Sequence, residues 1–391
     1  MWPHVIQHDG YMEVVMEFSY YLPVNLKFGW QMVDRIGELT KPYGKKALIV
    51  TGRSSAKRSG LYDRVVDALH QVGVESVLFD KVQANPLTTT AEEGARLATE
   101  ERCDVVIALG GGSIMDCAKG IAFLAVNEGN INDYIYNRLR SDKALPLVVV
   151  PTTCGTGSEG NGFGVLTNPE NGDKKSLRCS AIVPKVSIVD PACMQTMPQS
   201  VLASVGFDAL CHLIEAYTAK SASPITDAFA YQGLSLWANH FVSVYQGEDT
   251  KEGWEAITLA STLGGMVINN AGVTLAHGME HPASGLKDIT HGKGLAAIEP
   301  VCVDASWKGN PEKFAHIAKL FGATHGGDVG DVLRQVLEKI DLRLSLSDLG
   351  IAFEDIPWMV ENCLKVGAGN IANNPVMVTG DEIRKLYQQA L

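Results

Sequence analysis

The segment Asp104-Val-Val-Ile-Ala-Leu-Gly-Gly-Gly-Ser113 decides the fold, because it joins a continuous apolar strand to a triple-glycine turn. Further Val/Ile/Leu-rich runs at 47–51, 74–79 and 147–150 alternate with helical patterns around it. Strands that are apolar on both faces and alternate with helices are typical of a parallel sheet with helices on both sides. The sequence therefore predicts an α/β N-terminal domain built on a doubly wound parallel sheet.

Two loops of small residues follow neighbouring strands at the predicted carboxyl edge of this sheet. The first is Gly110-Gly-Gly-Ser113, where glycines let a phosphate approach the backbone and the next helix offers free amide groups. The second is Pro151-Thr-Thr-Cys-Gly-Thr-Gly-Ser-Glu159. A triple glycine alone is often only a tight turn. Two such loops at adjacent strand ends, where α/β sheets bind ligands, favour a dinucleotide.

The second half of the chain has a different pattern. Strand signals fade after about residue 191, and helical patterns follow at 202–219, 227–245, 254–269, 311–321, 329–340 and 354–366. We expect residues 1–191 to form the dinucleotide-binding α/β domain and residues 192–391 to form an all-α metal-binding domain. The cleft between them would bring metal and cofactor together.

Histidines recur at helical spacing in Leu275-Ala-His-Gly-Met-Glu-His-Pro282. His277 and His281 are four residues apart, so they project from the same face of a helix. A helix break after residue 285 would let His291 return to that face from the next element. A lone pair of this kind is more often a pair of satisfied core histidines or a helix cap.

Asp208 and His212 form a second pair with the same spacing in a strongly apolar helical pattern. Ionisable groups on a core-facing stripe are costly unless they are paired or bound to a metal. One carboxylate with three imidazoles suits a divalent ion that keeps room for an exchangeable ligand. The two pairs and the third histidine together therefore predict a metal site that polarises an alcohol or carbonyl oxygen.

The composition limits the kinds of molecule that this protein is expected to bind. The net charge of -11 and pI near 5.4 argue against nucleic acid or an anionic membrane surface, and they do not exclude a small neutral substrate. The eight cysteines contain no Cys-x-x-Cys pair, which is typical of reduced thiols in a cytoplasmic protein. No apolar run approaches the length of a membrane span, and the N-terminus lacks the pattern of a signal peptide.

Taken together, the motifs resemble the iron-containing (group III) alcohol dehydrogenase family, which has a dehydroquinate synthase-like fold. The similarity runs in order from about Asn25 to the end of the chain. The matching motifs are Gly110-Gly-Gly-Ser113 with Asp116 and Lys119, Pro151-Thr-Thr with Gly155-Thr-Gly-Ser-Glu159, Asp208-x-x-x-His212, His277-x-x-x-His281, His291 and Asn374-Pro375.

The resemblance implies roles for individual residues. The four implied metal ligands are Asp208, His212, His277 and His291. His281 matches an additional histidine that is a candidate for relaying the substrate proton, with a spectator or a fifth ligand as the other interpretation. The implied cofactor-binding residues are Gly52, Gly110, Gly111, Gly112, Ser113, Asp116, Thr152, Thr153 and Lys174. Asp116 and Lys119 could equally be charges on a helix surface.

One departure from the family pattern bears on the nucleotide. Many members carry an aspartate directly after the first strand, where it would repel a 2′-phosphate. This chain has Gly52 there, followed by Arg53, Lys57 and Arg58. We therefore expect NADP(H) to be accepted and to be favoured over NAD(H), unless the three cations are merely solvated.

The function implied by the resemblance is metal-dependent hydride transfer between NAD(P)(H) and a small primary alcohol or aldehyde. The expected metal is Fe²⁺ or Zn²⁺, and the expected assembly is a cytoplasmic homodimer. Two alternatives lie in the same fold: a glycerol dehydrogenase-like polyol oxidoreductase and a dehydroquinate synthase-like lyase. A metal-dependent hydrolase with Glu280 as its base is a third.

Overall fold

The computed structural model describes residues 4–8, 11–248 and 250–391. The strands are β1 (His4–His8), β2 (Tyr11–Val15), β3 (Leu26–Phe28), β4 (Lys46–Gly52), β5 (Glu75–Val82), β6 (Val105–Gly110), β7 (Leu147–Pro151), β8 (Phe163–Thr167), β9 (Lys174–Arg178) and β10 (Val186–Val189). The first helices are α1 (Ile36–Thr40), α2 (Ser55–Arg58), α3 (Leu61–Gln71), α4 (Thr88–Glu100), α5 (Gly112–Leu124), α6 (Ile131–Ile135) and α7 (Pro191–Met194). The later helices are α8 (Gln199–Thr218), α9 (Pro224–Tyr245), α10 (Lys251–Ala271), α11 (Leu275–Lys287), α12 (His291–Ser306), α13 (Pro311–Leu320), α14 (Val329–Lys339), α15 (Ile356–Val366), α16 (Ala368–Asn373) and α17 (Gly380–Ala390).

A six-stranded parallel sheet forms the centre of the N-terminal half, in the order β3-β10-β7-β6-β4-β5. Its central strands are buried on both faces, as their unbroken apolar sequences predict. In β4, Leu48 and Val50 pack in the core that includes α4 and α5, while Ala47 and Ile49 pack in the core that includes α1 and α3. The predicted doubly wound sheet is confirmed.

The strand order reverses between β4 and β6. The chain leaves β4 for β5 on one side, whereas it leaves β6 for β7 on the other, although β4 and β6 are neighbours. The crevice beyond the carboxyl ends of two such strands is where open α/β sheets bind ligands. Gly52 and Gly110 are the last residues of these strands, so both predicted glycine positions border this crevice.

The structure adds strands that the sequence patterns did not predict. The short strands β3 and β10 extend the sheet at one edge, and β8 pairs with β9 in an antiparallel hairpin outside it. Strands β3 and β10 have three and four residues, too few for a periodic signal. Their pairing also joins segments that are far apart in the chain, and local sequence carries no trace of such a contact.

The second half is helical from α7 onward and encloses a core of its own, as predicted. Helix α8 lies in the middle of this core, and nearly every residue after its first turn is buried. It is the only single helix in the described residues with the length and apolar composition of a membrane span, and 89% of that window is buried within the protein. An ionisable residue on α8 therefore needs a partner inside the protein.

Candidate active site

The cavity beside the reversal point is lined by both halves of the chain. Gly112, Ser113 and Asp116 of α5 face it from the sheet side, and the predicted metal residues face it from the helical side. Its volume is about 130 Å³. The residues predicted to bind metal and the start of α5 thus border a single space.

Three helices supply the metal residues. Asp208 and His212 lie one turn apart on α8, and His277 and His281 lie one turn apart on α11. Helix α11 ends at Asp288, which adopts the left-handed conformation with φ 53° and closes the last turn. The chain then reverses, and His291 is the first residue of α12.

Ligand atoms of Asp208, His277 and His291 all lie within 4.8 Å of one another, and His212 approaches the same carboxylate. The Nε2 atoms of His212, His277 and His291 each lie 3.6 Å from the same oxygen, Oδ1 of Asp208. Ligands on a tetrahedral ion with bonds of about 2.0–2.2 Å are separated by about 3.3–3.6 Å. Oδ1 of Asp208 and Nε2 of His277 are buried and have no hydrogen-bond partner among the described residues. Asp208, His277 and His291 fit one divalent ion, whose coordination would satisfy both atoms, and His212 adjoins this group at Oδ1 of Asp208.

Glu215 orients one of these imidazoles. Its carboxylate hydrogen-bonds Nδ1 of His277 and also accepts from the backbone N–H of Thr274 at 2.5 Å. With a proton held on Nδ1, the Nε2 lone pair of His277 points at the metal position. Glu215 was not predicted from the sequence, although a signal was present, because Asp208, His212 and Glu215 lie at i, i+4 and i+7 on one face of α8.

Glu280 has the same role on the other side. Its carboxylate hydrogen-bonds Nδ1 of His291, accepts from Oγ of Ser284, and lies 4.0 Å from Nζ of Lys174. Glu280 is fully buried and these contacts occupy both of its oxygens. It is therefore not placed to act as a base on water, and the hydrolase alternative does not fit the structure.

The electrostatics of the cluster follow from burial opposed by close charges. Burial lowers the pKa of His212 to about 4. Burial alone would also lower the pKa of His277. The carboxylates of Glu215 and Asp208 have a larger, opposite effect and raise the pKa of His277 to about 10. Burial would raise the pKa of Glu280, yet His291 and Lys174 hold it at about 2. The carboxylates are thus ionised, and a metal bound here would displace the proton from Nε2 of His277, which frees the lone pair on that atom.

His281 differs from the other histidines of the cluster. It is not among the three histidines whose Nε2 atoms lie 3.6 Å from Asp208, and its ring lies 5.5 Å from that of His291 and 6.1 Å from that of His277, measured between centroids. Burial, followed by the charges of Lys174 and His291, lowers the pKa of His281 well below its ordinary value. Its imidazole is therefore neutral near pH 7.

The triple-glycine loop is packed too closely for side chains. A Cβ on Gly111 would lie 2.9 Å from Oγ1 of Thr153, and one on Gly112 would lie 2.3 Å from Cγ2 of Thr156. The backbone N–H of Thr152 also donates to the carbonyl of Gly110 at 3.1 Å. The two small-residue loops thus contact each other, and α5 begins between them with its first amides free of intrahelical partners.

Lys119 and Asp116 link α5 to the second loop. The Lys119 ammonium donates to Oγ of Ser158 at 2.6 Å, Oδ1 of Asn161 at 2.9 Å and the carbonyl of Phe163 at 2.6 Å. Lys119 is fully buried, and burial lowers its pKa to about 8. The alternative that Lys119 is a surface charge is wrong. The Asp116 carboxylate accepts from Ser158 and from the backbone of β8.

Two further predicted cofactor positions border the same region. Gly52 ends β4, with Lys57 nearby in α2 forming an ion pair with Asp80 at 2.5 Å. Lys174 is buried at the start of β9, where its Nζ donates to Oδ1 of Asn85 at 3.0 Å. Lys174 therefore borders the cavity and also lies beside Glu280, which hydrogen-bonds His291.

Known proteins share this architecture. The sequence profile of the iron-containing alcohol dehydrogenase family matches residues 23–191, and the profile of the C-terminal part of the Fe-containing alcohol dehydrogenase family matches residues 202–391. The chain belongs to the iron-containing alcohol dehydrogenase family. The 1,3-propanediol dehydrogenase of Klebsiella pneumoniae is 35% identical over 383 residues, which cover 95% of this chain and 98% of that protein.

Two other similar proteins support the same family. The NAD-dependent methanol dehydrogenase of Bacillus methanolicus is 33% identical over 384 residues, covering 95% of this chain and all of that protein. The crystal structure of an alcohol dehydrogenase from a halo-thermophilic archaeon of a Red Sea brine pool superposes with a TM-score of 0.92 at 33% identity, covering 97% of this chain and all of that one. As a member of the iron-containing family, the protein is an alcohol dehydrogenase/aldehyde reductase.

Proposed function

We propose that Asp208, His212, His277 and His291 hold the metal of a nicotinamide-dependent aldehyde reductase. The observation that carries this proposal is the placement of three Nε2 atoms at 3.6 Å from one carboxylate oxygen. The family favours Fe²⁺, and Zn²⁺ accepts the same ligands. When bound, such an ion acts as a Lewis acid on the alcohol or carbonyl oxygen.

The protein's own residues would prepare this site before any ligand arrives. Glu215 and Glu280 fix the tautomer and direction of two imidazoles, so little reorganisation is needed on binding. Nδ1 of His212 has no hydrogen-bond partner among the described residues, so packing on α8 alone orients that ring. We infer that His212 is the least constrained of the three imidazoles.

We propose that His281 relays the proton to and from the substrate oxygen. It lines the metal cavity and a second, outer cavity, which gives it access to both the reacting group and solvent. Its neutral imidazole has a free lone pair for accepting a proton.

We propose that the nucleotide lies in the crevice at the reversal of strand order, with its pyrophosphate at Gly111, Gly112 and Ser113. The close packing of this loop against Thr153 leaves the backbone amides as the contacting groups. Gly52 presents no carboxylate to a 2′-phosphate, which favours NADP(H) over NAD(H). The exposed Arg53 could pair with that phosphate, whereas Lys57 is already paired with Asp80.

We further propose a cytoplasmic homodimer acting on small alcohols or aldehydes. All eight cysteines are free thiols, and all but Cys179 are buried, which suits a reducing compartment. Dimers are the commonest assembly for soluble enzymes.

The test is an assay of NADPH and NADH oxidation at 340 nm with anaerobically iron-reconstituted protein and a panel of short aldehydes. Turnover that is abolished by a chelator and in His277→Ala, but kept in His70→Ala, supports the proposal, because His70 is exposed on α3. Turnover that survives His277→Ala and the chelator would reject the metal assignment.

A further inference from the structure

A larger cavity adjoins the metal cavity on its outer side. Its volume is about 580 Å³, within the range of sites that bind small ligands. Eight residues line both cavities, among them Phe163, Lys174, Arg178 and His281. A substrate with its carbonyl beside His281 would therefore extend into the outer cavity.

The walls of this outer cavity carry positive charge. Lys174, Lys175 and Arg178, all from β9, line it, whereas no aspartate or glutamate is among the described residues that do. Lys174 is partly compensated, with Glu280 at 4.0 Å and a hydrogen bond to Asn85. This excess of positive charge is confined to the cavity walls, because the whole chain carries a net charge of -11.

Arg178 is the cation with least compensation. No carboxylate lies within ion-pair distance of its guanidinium in the part of the chain that the structure describes, and its central carbon lies 4.6 Å from the centroid of the Phe163 ring. The side chain is exposed to the cavity, yet surrounding protein partly desolvates the guanidinium and lowers its pKa. Burial and the charge of Arg178 also lower the pKa of Lys175.

An arginine that faces a recess without a carboxylate partner leaves its charge and its N–H donors available to an anionic ligand. A guanidinium presents paired N–H donors that match a planar carboxylate or the oxygens of a sulfonate. The guanidinium lies over the ring of Phe163, a contact that restricts its movement and lowers the entropy cost of binding a ligand.

We propose that the substrate is an aldehyde, or the corresponding alcohol, with an anionic head group such as a carboxylate or sulfonate, and that Arg178 selects it. This inference rests on the proposed function and names its substrate class. The head group binds in the outer cavity against Arg178 and Lys175, while the carbonyl lies beside His281. The reaction is unchanged: hydride passes from the nicotinamide to the carbonyl carbon, and a proton is added to the oxygen.

A matched pair of substrates tests this proposal. Succinic semialdehyde carries a carboxylate three carbons from its carbonyl, and its methyl ester has almost the same shape without the charge. We expect kcat/KM of the iron-loaded enzyme to be about ten- to a hundredfold higher for the acid, the size of a charged hydrogen-bonded pair. Sulfoacetaldehyde is assayed in parallel to show whether the enzyme prefers a sulfonate or a carboxylate. A preference for either anion over the ester supports the proposal.

Arg178→Met should remove the preference mainly by raising KM for the anion, leaving the ester within about twofold and KM for NADPH unchanged. Arg343→Met, which removes an exposed arginine paired with Glu338, is the control and should retain the preference. Equal turnover of acid and ester by the wild type would overturn the proposal and leave the dehydrogenase assignment standing. A higher KM for NADPH in Arg178→Met would overturn it too, because Arg178 would then bind a cofactor phosphate. Failure to reduce any carbonyl would reject the dehydrogenase as well.

Discussion

Glu280→Gln should weaken metal binding without changing the shape of the site. Glu280 is fully buried, and His291 and Lys174 hold its pKa at about 2 against an ordinary value of 4.5. That difference corresponds to about 3 kcal/mol in favour of the charged form. Part of this stabilisation comes from His291, whose Nδ1 hydrogen-bonds Glu280. Glutamine would therefore remove the charge that holds the proton on Nδ1 of His291 and makes its Nε2 a better ligand.

Replacing such an orienting partner typically costs ten- to a hundredfold in metal affinity, or about 1.4–2.7 kcal/mol. We expect Glu280→Gln to lose affinity in that range when Zn²⁺ or anaerobic Fe²⁺ is titrated against a competing chelator. Circular dichroism and a melting curve would show that the variant is folded.

Glu299→Gln is the matched control. Glu299 is also buried on α12, but burial and the neighbouring charge of Glu215 raise its pKa well above its ordinary value, which favours the neutral acid. Replacing a neutral acid by an amide of the same shape should change metal affinity by less than about twofold. Wild-type affinity in Glu280→Gln, or equal losses in both variants, would refute the role assigned to Glu280.

Three other substitutions have defined outcomes. Lys119→Met should lower the free energy of unfolding at pH 7 by about 2–4 kcal/mol in a urea titration, because it leaves several buried acceptors unpaired. The pKa of Lys119 is about 8 in the folded protein, against 10.5 for an ordinary lysine. Between these two pH values the unfolded state binds more protons than the folded state. The stability of the wild type relative to Lys119→Met should therefore rise with pH across that range. Gly52→Asp should lower kcat/KM for NADPH relative to NADH at least about tenfold, and an unchanged ratio would contradict the nucleotide placement. Gly112→Ala should destabilise the protein by about 1–3 kcal/mol and weaken nucleotide binding, measured by melting and by fluorescence titration, because its Cβ would lie 2.3 Å from Thr156.

The sequence predicted the parts of the fold that have a local signature. The buried strands β4, β6 and β7 and the long helices of the second half were recovered because apolar runs and helical periodicity are properties of neighbouring residues. Helix ends were less certain: α9 begins at Pro224, where Ser223 and Thr226 form a capping box, rather than at Asp227. A cap depends on side-chain hydrogen bonds that apolar periodicity does not reveal.

The histidines that we propose as ligands were singled out for the same reason, because spacing on one helix is visible in sequence. Residues whose surroundings come from distant segments were harder to predict. Lys119 was matched to the family motif with a surface charge as an equal alternative, and the sequence could not decide between them, since its burial depends on the loop at 158–163 folding over α5. Arg178 was not singled out, because the strand that carries it and the cavity it faces arise only when β8 and β9 pair outside the main sheet. Contacts between distant segments determine the surroundings of both residues.

The central claim is that one ion is held by Asp208, His212, His277 and His291, and anomalous diffraction from crystals of the iron- or zinc-loaded protein tests it most directly. The account predicts a single peak about 2.0–2.2 Å from Oδ1 of Asp208 and from the three Nε2 atoms. Glu280, His281 and His291 form a second group whose ligand atoms lie within 4.8 Å of one another. A peak on that group, or on no histidine of the cluster, would contradict the account.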